Sequence, residues 1–159
     1  MDLPSRVAAW RDRGADEEFQ GRRIHVTERD GGGPLLVFLH GFPSSSYDWR
    51  LLLELESEHA ALAPDFLGFG LSDKPRDHEY TLHWQADMVE ELVRRRGGSE
   101  PVSLVAHDMG TSVATERVLD AVIELRPAAP VTRFEDLGHY PQIEDPQRVA
   151  DALHVAFSA

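Results

Sequence analysis

A sharp turn between a strand and a helix constrains this chain more than any other feature. The apolar run at residues 102–105 leads directly into Ala-His-Asp-Met-Gly at residues 106–110, and a helical pattern follows at once. Small residues are needed two before and two after the apex of such a turn, and Ala106 and Gly110 occupy those positions. The pattern predicts a nucleophile elbow with Asp108 at its apex, which indicates covalent catalysis by a carboxylate.

Strands and helices alternate along the rest of the chain, as an α/β sheet requires. Residues 35–39 form a continuous apolar run, which is typical of a strand buried on both faces. We expect antiparallel edge strands at residues 18–20 and 22–28, followed by a glycine-rich turn at residues 31–34. The other predicted elements are strands at 60–63, 102–106 and 131–134 and helices at 4–13, 46–57, 82–96, 111–125 and 146–157.

The predicted helix at residues 82–96 has a clear start and a clear apolar face. Thr81 is a suitable N-cap because its hydroxyl can accept a hydrogen bond from the first turn. Apolar residues recur at steps of three and four, so we expect this set to face the sheet: Leu82, Ala86, Val89 and Val93.

Three further segments accompany the turn, in a fixed order along the chain. Residues 40–49 read HGFPSSSYDW, residues 63–75 read APDFLGFGLSDKP, and residues 137–146 read LGHYPQIEDP. Together with the turn at Asp108, these segments resemble the α/β-hydrolase superfamily, in its epoxide hydrolase and haloalkane dehalogenase branch. Four motifs in the family's order are far more specific than any one of them.

The resemblance covers residues 18–116 and 128–158. Within it, residues 47–49, 66–70 and 139–141 are most similar to the mesoderm-specific transcript group of that branch. The resemblance implies the α/β fold class, as a truncated α/β-hydrolase fold whose mostly parallel sheet is flanked by helices.

The resemblance also implies a two-stage hydrolysis of a small molecule such as an epoxide. Asp108 would attack a saturated carbon, and His139 would activate the water that hydrolyses the resulting ester. The backbone N–H groups of Phe42 and Met109 would form the oxyanion hole. A cis peptide before Pro43 is expected, as in the family's His-Gly-x-Pro loop. We expect neither a cofactor nor a metal.

Each candidate residue also has a structural interpretation. Aspartate is a residue type that tolerates strained turns, so Asp108 is also compatible with a purely structural turn. His139 is compatible with an ordinary loop histidine. His40, His107 and Asp65 match family positions too, and we expect them to tie loops together at the carboxyl edge of the sheet.

The chain departs from the family in length. Only 30 residues separate Asp108 from His139, where members of the resembled family carry a cap domain and two further strands. We therefore expect residues 1–159 to form one truncated domain without a cap. The strand at 131–134 should then lie parallel and directly beside the strand at 102–106.

The orienting acid of the family's triad has no counterpart in the sequence. In the family this acid follows a later strand. None of the acidic residues near the candidate site matches its motif: Glu116, Asp120, Glu124, Glu135 and Asp136. Three hypotheses therefore remain open: a working hydrolase, a catalytically impaired remnant, and a protein that binds or oligomerises through an exposed sheet edge. Missing strands would leave apolar surface uncovered, so we expect a homodimer or a marginally stable chain.

Composition excludes several classes of protein. A net charge of −12 argues against a nucleic-acid partner, and the absence of cysteine excludes disulfides and thiolate metal sites. Apolar runs of about five residues are too short to cross a membrane, and the first residues lack a signal-peptide pattern. We therefore expect a cytoplasmic protein without a membrane partner. His78 and His83 mimic a zinc motif but are one residue too far apart to share a helix face.

Overall fold

A five-stranded mixed sheet forms the centre of the fold. The computed structural model describes residues 4–56, 58–96, 102–116 and 132–157. Its strands are β1 (Gly14–Phe19), β2 (Arg22–Arg29), β3 (Gly32–Leu39), β4 (His59–Pro64) and β5 (Ser103–Ala106). They lie in the order β1-β2-β4-β3-β5. The first two pairings are antiparallel, and β3 runs parallel to both β4 and β5, so the α/β architecture expected from the sequence is confirmed.

Seven helical segments surround the sheet in the described part of the chain. They are α1 (Ser5–Arg11), a 3₁₀ turn (Ser46–Trp49), α2 (Arg50–Leu55), α3 (Leu82–Arg95), α4 (109–116), α5 (Pro141–Glu144) and α6 (Pro146–Phe157). Thr81 caps α3 as predicted, since its side chain accepts a hydrogen bond from Trp84 N–H. Among these residues, none of the helices combines the length and the apolar character needed to cross a membrane.

Two apolar layers, one on each face of the sheet, make up the core. On one face, Met88 and Leu92 of α3 pack with strand residues that include Ile24, Val37 and Leu62. On the other face the helical residues are drawn from α1, the 3₁₀ turn, α2 and α6: Trp10, Trp49, Leu52, Leu53 and Ala150. The predicted double burial of β3 is confirmed, because Leu36, Val37, Phe38 and Leu39 are all at most 1% exposed.

The hairpin at the start of the sheet forms as predicted, but its second strand is not at an edge. Gln20 and Gly21 both have positive φ, which is the type I′ geometry that fits a two-residue hairpin. β2 pairs with β4 on its other side, so of the two hairpin strands only β1 lies at an edge of the described sheet. The predicted turn at 31–34 is also shorter than expected, since Gly32 already belongs to β3 and donates its N–H to Glu58 O.

The inward face of α3 differs from the prediction at both ends of the helix. Leu82 is 37% exposed, whereas Met88 and Leu92 are fully buried. A polar residue accounts for part of this difference. Gln85 is buried because its amide exchanges two 3.0 Å hydrogen bonds with the backbone of Leu67. The apolar periodicity alone could not place a glutamine in the core.

The strand predicted at residues 131–134 is wrong for the residues that the structure describes. Residues 132–134 have no regular structure, and within the described ranges β5 pairs with β3 alone. The Phe134 ring instead packs under the guanidinium of Arg148 on α6, 5.0 Å from its centroid. Residue 131 and the part of the predicted helix beyond residue 116 lie outside the described residues.

Candidate active site

The sharp turn at Asp108 lies at the carboxyl end of β5, where α4 begins. Asp108 has a φ of 52°, a left-handed conformation that non-glycine residues seldom adopt. Gly110 follows where the turn presses against β3, because a Cβ at this position would lie 2.2 Å from Leu39 O. Any larger residue at position 110 would collide with the backbone of β3. The packing of β5 beside β3 therefore requires a glycine two residues after Asp108.

The loop after β3 approaches the same carboxylate. Phe42 N–H donates to Asp108 Oδ1 at 2.8 Å, and Met109 N–H also donates to the Asp108 carboxylate. The Phe42–Pro43 peptide is cis, as predicted. Gly41 permits this close approach, because a Cβ there would lie 2.8 Å from both Asp108 Cβ and His107 Nδ1. The N–H groups of Phe42 and Met109, which were predicted to form an oxyanion hole, therefore both face the Asp108 carboxylate.

These donors keep the carboxyl group of Asp108 ionised to a lower pH. The N–H groups of Phe42 and Met109 hold the pKa of Asp108 below its ordinary value of 3.8, with smaller contributions from His107 and His139. Hydrogen bonds to the ionised form favour that form. At neutral pH Asp108 is therefore an anion, with one oxygen held by backbone donors.

His139 reaches the other oxygen of Asp108. Its Nε2 lies 3.6 Å from Asp108 Oδ2, and its side chain is 61% exposed. The histidine's own carbonyl accepts a 2.6 Å hydrogen bond from His107 Nε2. The rings of His107 and Tyr140 pack against the His139 ring at centroid distances of 4.7 and 4.9 Å. The structure thus brings together all four residues singled out from the sequence, although the strand expected before His139 is not formed by residues 132–134.

No third acid orients the imidazole within the described ranges, where Asp108 is the only carboxylate in contact with the His139 ring. Glu116 instead pairs with His83 Nδ1 at 2.8 Å. Asp136 pairs with Arg148, and Glu135 is exposed. The remaining two acidic residues considered from the sequence, at positions 120 and 124, lie outside the described residues.

His40 and Asp65 connect the loops beneath the site, as expected of them. His40 donates from Nδ1 to Gly41 O at 2.8 Å and accepts from Phe66 N–H through Nε2 at 3.0 Å. This pattern requires the neutral ring, in agreement with the burial that lowers the pKa of His40. Asp65 accepts from Ser46 N–H at 2.7 Å and from the Leu71 backbone at 2.6 Å.

The histidines of the zinc-like segment do not share a site. The His78 ring packs against Trp84 at 4.9 Å, whereas His83 pairs with Glu116 on α4. Within the part of the chain that the structure describes, no group of three or more histidine, aspartate or glutamate residues is arranged to hold a metal ion.

Sequence reasoning missed one residue near the site, Glu144. Its carboxylate accepts hydrogen bonds from Gly138 N–H at 2.7 Å and Tyr140 N–H at 3.3 Å. These two residues flank His139. A glutamate one turn after the histidine loop was visible in the sequence, but its side chain turns back to the preceding backbone, which no periodic pattern indicates.

Comparisons with known proteins show what the chain as a whole is similar to. A family model described as alpha/beta hydrolase fold matches residues 34–126. The chain is 45% identical over 120 residues to the mesoderm-specific transcript homolog protein of Bos taurus, covering 72% of this chain and 36% of that protein. It is 38% identical over 99 residues to epoxide hydrolase 3 of Mus musculus, covering 60% and 27%.

A solved structure shows the same likeness in three dimensions. The epoxide hydrolase CorEH, without ligand, superimposes with a TM-score of 0.60 and 35% identity, over 67% of this chain and 37% of that chain. The chain therefore spans less than half the length of each of these three proteins. The residues that the family model matches, 34–126, include β4, β5 and the turn at Asp108.

Proposed function

The chain belongs to the α/β-hydrolase family, and on that premise we propose that it hydrolyses small electrophiles such as epoxides through a covalent ester on Asp108. One observation carries the proposal: the N–H of Phe42 and the imidazole of His139 approach opposite oxygens of a single carboxylate. The turn at Asp108 serves as the nucleophile elbow. Similarity to epoxide hydrolases favours an epoxide as the electrophile.

The first step is attack by Asp108 Oδ2. Oδ1 is held by Phe42 N–H, so Oδ2 is the oxygen with an available lone pair toward the open side of the site. It forms a bond to a ring carbon of the epoxide, and the carbon–oxygen bond of the ring breaks. The released alkoxide takes a proton from water, which reaches the exposed site. The product is an ester in which Oδ1 is the carbonyl oxygen.

The second step returns the carboxylate. His139 Nε2 takes a proton from water, and the resulting hydroxide attacks the ester carbonyl carbon of Asp108. The negative charge that develops on Oδ1 faces the N–H groups of Phe42 and Met109, which form the oxyanion hole. Collapse breaks the bond between that carbon and the ester oxygen, and the leaving alkoxide takes the proton from His139 to give the diol. Asp108 is then a carboxylic acid, and it returns to the carboxylate by giving its proton to the hydroxide that remained from the first step.

Turnover by this mechanism is expected to be slow. No carboxylate other than Asp108 contacts His139 in the described residues, and loss of the orienting acid costs about 10⁴ in the turnover of a serine protease. An epoxide hydrolysed in heavy-oxygen water tests the route, because in the first turnover the diol carries away an oxygen of Asp108 and the attacking water oxygen stays in the carboxylate. A peptide containing Asp108 should gain the mass of one heavy oxygen; label found only in the diol would contradict the ester.

A second candidate function is supported by the length comparison. The chain covers 36% of one relative and 37% of a solved epoxide hydrolase, and β5 has a strand partner on one side only among the described residues. An open sheet edge pairs readily with another chain. In this alternative the protein is a catalytically impaired remnant of a hydrolase that forms homodimers and acts by binding.

A further inference from the structure

The carboxylate of Glu144 joins the two residues on either side of His139. Oε2 accepts from Gly138 N–H at 2.7 Å, and Oε1 accepts from Tyr140 N–H at 3.3 Å. Gly138 is suited to this contact, because a Cβ at its position would lie 2.8 Å from Glu144 Oε1. The glycine therefore leaves room for the carboxylate to lie against the loop.

Glu144 is carried by a supported element. It is the last residue of α5, which contacts α2, α6 and the 3₁₀ turn. The preceding Gln142 is 2% exposed and anchors α5 in this packing. Glu144 itself stays exposed, so its charge remains hydrated while its two oxygens are bound to the loop. The helix α5 thus holds the loop at residues 138–140 from one side.

The other side of the loop is held by His107, which donates from Nε2 to His139 O at 2.6 Å. The backbone of residues 138–140 is therefore fixed at two N–H groups and one carbonyl. The His139 ring, in contrast, contacts no carboxylate except Asp108 in the described ranges. The orientation of the His139 ring therefore depends on how its backbone is held, because no second carboxylate binds the ring in the described residues.

We propose that Glu144 is a positioning residue that keeps His139 Nε2 directed at Asp108, and so serves the ester-hydrolysis step; this inference rests on the proposed function. A glutamine cannot replace it. Both loop contacts are N–H donors, and a carboxylate offers two acceptor oxygens, whereas an amide offers one oxygen and one competing donor. Hydrogen bonds to an ionised acceptor are also the stronger kind.

The test separates the two chemical steps in Glu144→Gln. With styrene oxide as the probe, formation and decay of the Asp108 ester are followed by mass spectrometry after rapid quenching. Ester decay should slow by roughly 10- to 100-fold, since small misplacements of a catalytic group have effects of that size. Ester formation, which does not use His139, should change by less than about twofold. Glu135→Gln is the matched control, because Glu135 is exposed on the same loop and loses the same charge.

Each outcome decides the matter. Equal slowing of both steps, or no change in either, overturns the positioning role. Ester that accumulates in His139→Ala but not in Glu144→Gln refutes the role of Glu144 and leaves the proposed function standing. If no variant forms an ester, the proposed function fails, and the positioning role of Glu144 is then tested by nuclear magnetic resonance.

That second measurement needs no turnover. The amide proton of Gly138 should lose its carboxylate-bonded downfield shift in Glu144→Gln, and the ring resonances of His139 should move with it. Both sets of resonances should stay in place in the Glu135→Gln control. Unchanged His139 resonances in Glu144→Gln would overturn the inference even in a protein without activity.

Discussion

Asp108 Oδ1 accepts a hydrogen bond from Phe42 N–H at 2.8 Å, although the two residues are 66 positions apart in the sequence. The contact joins the turn after β5 to the loop after β3. These strands are parallel neighbours in the sheet, so their carboxyl ends meet at the same edge. The site therefore depends on the pairing of two strands and on the glycines that let their following loops approach.

Replacing Gly110 by alanine should destabilise the fold. The added Cβ would lie 2.2 Å from Leu39 O, which belongs to the backbone of the buried end of β3 and cannot move aside. We expect the free energy of unfolding to fall by about 1–3 kcal/mol, as for other overpacked sites. Denaturant unfolding monitored by circular dichroism measures this loss.

Gly32→Ala is the matched control, because the nearest atom to its added Cβ is Glu58 O at an ordinary 3.8 Å. Equal free energies of unfolding in Gly110→Ala and Gly32→Ala would show that the fold tolerates a side chain at position 110.

The ester-forming step should be insensitive to pH in the neutral range. Hydrogen bonds from Phe42 and Met109 lower the pKa of Asp108 below 3.8, so the attacking carboxylate stays ionised until the pH falls below that value. The rate of Asp108 alkylation by styrene oxide should therefore be constant between about pH 5 and pH 8. An alkylation rate that declines with a midpoint above 3.8 would contradict this account of the backbone donors.

The buried carboxylate of Glu56 should make stability depend on pH. Burial acts to raise its pKa, but hydrogen bonds with His59 and His154 outweigh burial and hold the pKa of Glu56 below 4.5. A lowered folded-state pKa contributes stability above the unfolded value, and that contribution is lost as the pH falls through the folded one. Glu56→Gln should lower the free energy of unfolding at neutral pH by about 1 kcal/mol, the usual contribution of such hydrogen bonds.

The difference between wild type and Glu56→Gln should shrink as the pH falls below 4.5. Glu54→Gln is the control, since Glu54 lies two residues away on α2 and forms only an exposed ion pair with Arg13. If the difference in the free energy of unfolding between wild type and Glu56→Gln stayed the same in acid, the ionised form of Glu56 would contribute nothing to stability.

Association tests the second candidate function. If the open edge of β5 pairs with another copy, light scattering should give twice the chain mass of 17.8 kDa. Val105→Pro, within β5, would not test the edge alone, because Val105 is buried in the core and the change would also destabilise the fold. Concentration dependence of the wild type is the better measure, and a constant mass of 17.8 kDa over a wide range would refute the homodimer.

The parts of this molecule that were predictable are those in which a local pattern and the tertiary structure agree. The turn at Asp108 and the cap at Thr81 follow from the steric or hydrogen-bonding needs of a few adjacent residues, whereas the cis peptide before Pro43 was expected from the family resemblance. Predictions of this kind hold because the neighbours that decide them lie within the same segment.

The predictions that failed depended on distant partners. Phe134 packs on Arg148 rather than beside β5, and Gln85 is drawn into the core by the backbone of Leu67. Glu144 was missed for the same reason, since its role depends on a side chain folding back onto the preceding loop. Propensity and periodicity carry no record of such contacts.

The most direct test of the central claim is a mass measurement on the ester itself. Incubation with styrene oxide should add one probe mass to the peptide that contains Asp108, and the adduct should accumulate in His139→Ala because the second step fails while the first survives. Asp151→Ala, a change at an exposed position on α6, should behave like the wild type, and Asp108→Ala should carry no adduct. Absence of an adduct in both wild type and His139→Ala, or hydrolysis undiminished in Asp108→Ala, would contradict the account.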